Sequence, residues 1–139
     1  MKKAIVLYNS KTGTTEELAG EIGDFLNKKG LEAQVASIFS FDADGLRDVD
    51  YVFLGCWTNG LMILLQHPER TWVEFARTLP NLSGKKIGLF TTYTIATGNM
   101  FRKMREHIKC NPEDILAELK SRDGHLTESN RKDLQNFLT

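Results

Sequence analysis

The stretch Ala4–Leu18, AIVLYNSKTGTTEEL, joins an apolar run to a helical pattern through a turn rich in hydroxyl groups. Ala4–Leu7 is continuously apolar, which is typical of a strand buried on both faces of a parallel sheet. Thr14–Lys29 predicts a helix, because its apolar residues recur at helical spacing, acidic residues lie in its first turn and a glycine follows its end. The stretch therefore predicts a strand, a loop and a helix in succession, as in an α/β fold.

The turn between these two elements carries four hydroxyl side chains and one glycine. They are Ser10, Thr12, Thr14, Thr15 and Gly13. The first amides of a helix lack intrahelical partners and carry partial positive charge, so a loop that curls before them can bind an anion. The composition fits a phosphate monoester, although it matches neither GxxxxGK(S/T) nor GxGxxG. The alternative is a hydroxyl-rich helix start that Thr14 caps. Lys11 either attracts the phosphate or points into water.

Strand and helix patterns alternate through the rest of the chain. The further predicted strands are Glu32–Ser37, Tyr51–Cys56, Lys86–Phe90 and Ile115–Ser121, and the further predicted helices are Glu69–Leu79, Asn99–Lys109 and Thr127–Leu138. Ile38–Asp50 predicts either a short helix or a loop. Pro112–Lys120 also has helical propensity, but the regular alternation of elements favours a fifth strand there. Five strands with intervening helices predict an α/β, doubly wound parallel sheet with helices on both faces.

Three polar loops follow predicted strands, namely Asn9–Thr15, Trp57–Pro68 and Thr91–Gly98. In a doubly wound sheet, ligands bind beyond the carboxyl ends of the strands. These three loops are therefore the candidate binding site.

Composition excludes several other classes of function. Lys plus Arg equal Asp plus Glu at 18 each, so the chain lacks the basic excess that nucleic-acid binding requires. Two distant cysteines, Cys56 and Cys110, make neither a disulfide framework nor a metal cluster, and they indicate a reducing compartment, the cytoplasm. No apolar run approaches the ~20 residues that span a membrane. The three histidines are scattered and suggest no metal site.

The loop sequence SKTGTT, between a first strand and a first helix, resembles the FMN-phosphate loop of flavodoxins. Leu54–Gly60, LGCWTNG, resembles the second FMN loop of that family, and Gly84–Tyr93, GKKIGLFTTY, resembles its fourth strand entering the third FMN loop. The resemblance covers essentially the whole chain and is to the short-chain flavodoxins. It implies one domain over residues 1–139, the strand order 2-1-3-4-5 and one non-covalently bound FMN.

The resemblance also implies which residues bind FMN. The phosphate would be held by the first loop, with the peptide unit Asn59-Gly60 reorienting beside the flavin N5 and Trp57 stacking on the ring. The predicted cofactor-binding residues are Ser10, Lys11, Thr12, Gly13, Thr14, Thr15, Trp57, Thr58, Asn59, Gly60, Thr91, Thr92, Tyr93 and Gly98. No catalytic residue is predicted.

The implied function is electron transfer between redox partner proteins, by a monomer or a weak dimer. The aromatic residues depart from the family pattern, since Trp57 is the only aromatic residue of the second loop and Ile95 stands in the third loop where a stacking aromatic often stands. Two further departures are that the chain is neutral where flavodoxins are typically acidic and that Leu61–Leu65 is apolar for a loop. They keep open an FMN-dependent reductase of a quinone-like or porphyrinogen-like substrate. A cofactor-free interaction domain is a further alternative, since a fold does not fix a function. The sequence favours an electron carrier over a stand-alone oxidoreductase.

Overall fold

The computed structural model of the chain describes residues 2–59, 67–94 and 97–139. The predictions that concern Gly60, Leu61–Leu65 and Ile95 lie outside the described residues. The five main strands are β1 Lys3–Asn9, β2 Glu32–Ser37, β3 Tyr51–Asn59, β4 Lys86–Thr92 and β5 Ile115–Ser121. The α-helices of the described part are α1 Thr14–Lys28, α2 Arg70–Thr78, α3 Met100–Arg105 and α4 Glu128–Leu138.

The five strands form one parallel sheet in the order β2-β1-β3-β4-β5. This confirms both the doubly wound fold class and the strand order that the resemblance implied. β1 and β3 are central, and their apolar runs are buried on both faces. The change of direction in the strand order falls between β1 and β3, which is where doubly wound sheets bind ligands.

The core has one layer on each face of the sheet. One layer packs α2 and α3 against side chains such as Ile5, Leu54 and Leu89. The other packs α1 and α4 against residues such as Val6 and Phe53. Strand alternation sends neighbouring residues into opposite layers, so the sheet is apolar on both sides.

Two glycines of the central strands make room for aromatic rings on neighbouring strands. A Cβ on Gly55 of β3 would lie 2.0 Å from the ring of Phe90, and one on Gly88 of β4 would lie 2.4 Å from the ring of Phe53. Both rings are fully buried. The two glycines therefore let β3 and β4 exchange large side chains across one layer of the core.

The edge strand β5 is covered on only one face. Ala117 and Leu119 are buried, whereas Leu116 is 49% exposed and Glu118 and Lys120 alternate with the buried residues. The alternation that made this segment ambiguous in the sequence is thus the signature of a half-exposed edge strand.

Several boundaries differ from the prediction, among them the ends of β3, β4 and α3. β3 continues to Asn59 and pairs antiparallel with a two-residue strand, His67–Pro68, so the predicted loop Trp57–Pro68 begins and ends in sheet structure. β4 likewise continues to Thr92. α3 ends at Arg105 rather than Lys109, because the chain then tightens into i→i+3 turns such as Ile108 N–H to Arg105 O.

The ambiguous segment Ile38–Asp50 contains two 3₁₀ turns, Ile38–Ser40 and Ala43–Leu46. Ser37 and Asp42 cap these turns with their side chains. Ile38 and Leu46 are buried, so the segment contributes to the core although it contains no α-helix.

Candidate functional site

The three polar loops leave the same edge of the sheet, which we call the carboxyl edge. Pairing places Asn9 of β1 opposite Cys56 of β3, and Trp57 of β3 opposite Thr92 of β4. The described residues of the three loops therefore converge beyond the ends of β1, β3 and β4, as the sequence predicts.

The first loop curls tightly before α1. Gly13 has a φ of 95°, a left-handed conformation that favours glycine, and it occupies the N-cap position without a side-chain cap. The Ser10 hydroxyl oxygen instead accepts hydrogen bonds from the amides of Gly13, at 3.0 Å, and Glu16, at 3.3 Å. Thr14 is the first helical residue, so the alternative in which Thr14 caps the helix is wrong.

This geometry leaves donors for an external anion. Thr14 and Thr15 are the first two residues of α1, so their amides have no intrahelical acceptor. The Ser10 hydroxyl oxygen accepts the two hydrogen bonds from the loop amides, so its own O–H can still donate to a ligand. Thr12 and Lys11 are exposed beside these groups. Two amides, short hydroxyl groups and one cation at a helix N-terminus are a donor set that fits a phosphate dianion.

Beneath this loop, hydroxyl pairs link the strand ends. The hydroxyl oxygens of Thr15 and Thr92 are 2.6 Å apart in a buried contact, and those of Thr58 and Thr91 are 2.9 Å apart. Thr15 is only 1% exposed, so its side chain binds the third loop rather than facing solvent. Its hydroxyl group therefore positions α1 against β4, while its amide remains available to a ligand.

The two aromatic residues predicted beside the flavin, Trp57 and Tyr93, are half-buried at the carboxyl edge. Each has a cation over its ring. The Nζ of Lys11 lies 4.9 Å from the Trp57 ring centroid, and the guanidinium carbon of Arg122 lies 5.4 Å from that of Tyr93. Gly98 is exposed, with a φ of 51°. Asn59 ends β3 at the same edge.

The sequence interpretation missed Glu69, which lies between α2 and the site. Its carboxylate accepts from the Asn9 side-chain amide at 2.8 Å and caps α2 by accepting from the Thr71 amide at 2.8 Å. Glu69 thereby connects the end of β1 to the segment that returns from β3. The sequence showed only a helix beginning near Glu69, because the partner is 60 residues away.

The loop after β5 was also missed. A Cβ on Gly124 would lie 2.8 Å from the Thr14 carbonyl oxygen, so this loop passes directly against the first turn of α1. The Glu21 carboxylate accepts from the Leu126 amide at 2.8 Å and contacts the His125 ring nitrogen at 2.5 Å. These contacts hold α1 against the end of β5.

Cys56 lies next to the site, but its thiol is unreactive. It is fully buried, and burial raises the pKa of its thiol to about 12. The thiol contacts the Trp57 carbonyl and accepts from the Glu69 amide. The thiolate that redox chemistry requires is therefore strongly disfavoured.

The described part of the chain contains neither a candidate metal site nor a helix that could span a membrane. Across residues 2–59, 67–94 and 97–139, no cluster of His, Cys, Asp and Glu side chains could hold a metal ion. None of the described helices is long and apolar enough to cross a bilayer.

Comparison with known proteins agrees with this geometry. A family model described as the flavodoxin domain matches residues 5–129. A flavodoxin of Clostridium beijerinckii is 28% identical over 103 residues, covering 74% of this chain and 73% of that protein. A flavodoxin of Megasphaera elsdenii is 33% identical over 95 residues, covering 67% and 66% respectively. The solution structure of the two-electron reduced M. elsdenii flavodoxin superposes with a TM-score of 0.75 at 22% identity, covering 96% of both chains.

Proposed function

The chain belongs to the flavodoxin family of FMN-binding electron-transfer proteins, and we propose that the loops of its carboxyl edge hold the FMN. The phosphate binds in the first loop, and the flavin ring lies toward Trp57 and Tyr93. The cofactor supplies the redox chemistry, and the protein binds, orients and electrostatically tunes it.

The observation that carries this assignment is the open start of α1. Ser10 secures the curl of the loop from inside, so the amides of Thr14 and Thr15 are left for an outside acceptor. Charge-assisted hydrogen bonds to a phosphate are stronger than bonds between neutral groups. Thr12, whose hydroxyl lies 3.4 Å from that of Thr14, adds a donor at the exposed rim.

The remaining residues of the site have supporting roles in this proposal. The pair Thr58–Thr91 joins the ends of β3 and β4, the pair Thr15–Thr92 joins α1 to β4, and Glu69 anchors Asn9 at the end of β1. These contacts of the described residues are therefore in place before a ligand binds, which limits the ordering cost of binding.

Redox partner proteins would be the source and the destination of the electrons, and we place the protein in the cytoplasm as a monomer or a weak dimer. Both of its cysteines, Cys56 and Cys110, are free thiols, which fits a reducing compartment. The family match favours this carrier role over the reductase and the cofactor-free domain that the sequence left open.

The proposed site is tested by titrating the purified protein with FMN and with riboflavin while following flavin fluorescence. We expect quenching by both ligands, with FMN bound more tightly because riboflavin lacks the phosphate. Thr12→Ala should weaken FMN by at least about tenfold, since a charge-assisted hydrogen bond contributes ~1.5–3 kcal/mol, and should leave riboflavin unchanged.

Thr78→Ala is the matched control, because Thr78 is an exposed threonine that donates to the Phe75 carbonyl at the end of α2. It should bind both flavins like the wild type. Equal affinity of the wild type for FMN and riboflavin would show that the first loop does not bind the phosphate.

A further inference from the structure

The carboxyl edge places a cation over each of the two aromatic residues that face the proposed flavin site. Lys11 comes from the loop after β1 and covers Trp57 at the end of β3, at 4.9 Å. Arg122 follows β5 and covers Tyr93, which follows β4, at 5.4 Å. Both contacts join different loops, so they are tertiary features of the edge rather than accidents of local sequence.

Two carboxylates near this edge, those of Glu69 and Asp123, accept hydrogen bonds from the protein's own donors, whereas Glu16 and Glu17 lie exposed in the first turn of α1. Glu69 accepts from Asn9 and from the Thr71 amide. Asp123 accepts from the Ser121 hydroxyl, at 3.1 Å, and from the His125 amide, at 3.0 Å. Within the described residues, Lys11 takes part in no ion pair.

The rings also hold the two cations at the site. An ammonium or guanidinium group over an aromatic face is attracted by the ring quadrupole. Lys11 and Arg122 are both exposed, yet each is directed to the edge where the flavin would bind. The edge therefore holds two positive charges near the proposed flavin ring, although the whole chain has a formal charge of zero.

We propose that Lys11 and Arg122 stabilise reduced FMN relative to oxidised FMN and so raise the midpoint potential of the bound cofactor. This inference rests on the proposed function. Two electrons from a redox partner and one proton from solvent convert oxidised FMN into its anionic reduced form, which adds one negative charge to the ring. Nearby cations attract that added charge, and the attraction is greatest where ionic screening is weak.

A role of Lys11 at the ring can be separated from a contact with the phosphate. The phosphate keeps its charge when the flavin is reduced, so a contact with the phosphate changes the affinities of oxidised and reduced FMN equally. A cation that acts on the ring changes their ratio. The midpoint potential reports this ratio alone, whereas a dissociation constant for oxidised FMN also reports the phosphate contact.

The test compares Lys11→Met and Arg122→Met with the wild type, using titration of the FMN-loaded proteins with dithionite against reference dyes at low ionic strength. Met retains an unbranched apolar chain over the aromatic ring and removes the charge. Lys29→Met is the matched control, because Lys29 also lies over an aromatic ring, that of Phe25, 5.4 Å away at the opposite end of α1.

We expect each of the two substitutions to lower the ratio of reduced to oxidised affinity by up to about tenfold, which is about 30 mV for a two-electron couple. The double variant should show the sum of the two shifts in midpoint potential, and each shift should become smaller at high salt concentration. Lys29→Met should leave the potential unchanged.

Equal midpoint potentials in the wild type and in every variant would overturn the proposal while the proposed function stands. A shift of the same size in Lys29→Met would also overturn it. A wild-type protein that binds no FMN would overturn both. Weaker binding of oxidised FMN to Lys11→Met at an unchanged potential would assign Lys11 to the phosphate and overturn its role at the ring.

Discussion

The two edges of the sheet, the carboxyl edge and the amino edge at the opposite ends of the strands, are closed in different ways. At the amino edge, main-chain hydrogen bonds extend the ladder into the loops, as from the Asp50 amide to the Lys3 carbonyl and from the Lys86 amide to the Asp50 carbonyl. At the carboxyl edge, side-chain pairs join strand ends to the starts of helices, as in Thr15–Thr92 and Asn9–Glu69.

The difference explains why one edge suits a ligand. An edge closed by its own backbone has few donors left, whereas an edge held by side chains leaves main-chain amides at the start of α1 available. The amino edge does contain a cleft of about 330 Å³, lined by charged residues such as Lys2, Arg47 and Asp48. That cleft is not lined by residues of the three predicted loops, so residues beside it serve as a negative control in FMN-binding experiments.

The largest effect should come from breaking the curl of the first loop. Gly13 and Gly30 have nearly the same φ, 95° and 92°, and a Cβ at either would meet no atom within 4 Å, but they lie at opposite ends of α1. Ala at either site should lower the free energy of unfolding by ~1–2 kcal/mol, the cost of a left-handed conformation. Only Gly13→Ala should also weaken FMN, by up to about thirtyfold, because re-forming the curl on binding costs up to ~2 kcal/mol.

Fluorescence titration and urea denaturation of the two variants measure these effects. An equal loss of FMN affinity in Gly13→Ala and Gly30→Ala would mean that binding follows global stability rather than loop geometry.

The next effect, on stability alone, should come from the buried hydroxyl pair Thr15–Thr92. Thr15→Val leaves the Thr92 hydroxyl without its partner and should lower the free energy of unfolding by ~1–3 kcal/mol. Adding Thr92→Val should recover part of this loss, because two apolar groups can replace a buried polar pair.

The amino-edge counterpart is Lys85→Met, which removes a bond from Nζ to the Val49 carbonyl at 2.7 Å and should lower the free energy of unfolding by ~0.5–1.5 kcal/mol. Urea denaturation compares the variants. Full additivity of the two valine substitutions would contradict a direct pair.

The smallest effect should be a pH dependence of the contact between Glu21 and His125. The hydrogen bond and the negative charge of Glu21 raise the pKa of His125. Burial acts to raise the pKa of Glu21, but the hydrogen bonds from His125 and the Leu126 amide, with the charges of His125 and Arg131, lower it overall. Asp123 and Glu17 also face His125 and raise its pKa.

The raised His125 pKa gives stability that is present at low pH and lost as the pH rises through the folded-state value. The lowered Glu21 pKa gives stability that is lost as the pH falls through its folded-state value. His125→Gln should therefore reduce the urea midpoint most between these two pKa values and least above the raised His125 pKa. A reduction of the urea midpoint that is the same at every pH would show that the ion pair between Glu21 and His125 does not contribute to stability.

The sequence predicted the elements better than the contacts of the site. β2 and β5 have the predicted bounds, because short apolar or alternating runs between turn residues define a strand locally. β3 and β4 run further than predicted, since backbone pairing with a neighbour extends through polar residues such as Thr91 and Thr58.

The loops of the site could be located from the strand order, but their connections could not. The Thr15–Thr92 pair spans 77 residues and the Asn9–Glu69 pair spans 60. No local pattern encodes such distances, and the sequence does not show that Lys11 lies over the ring of Trp57. The assignment of individual residues to FMN stays a prediction.

The most direct test of the central claim, that the carboxyl edge binds the FMN phosphate through the start of α1, is an amide NMR titration of the protein with FMN. We expect the largest shifts at the amides of Thr14 and Thr15, with riboflavin moving these two amides far less. Gly30 and Gly84, at the amino edge, should not move. Shifts centred on the amino-edge cleft, or equal responses of Thr14 and Thr15 to FMN and riboflavin, would contradict the claim.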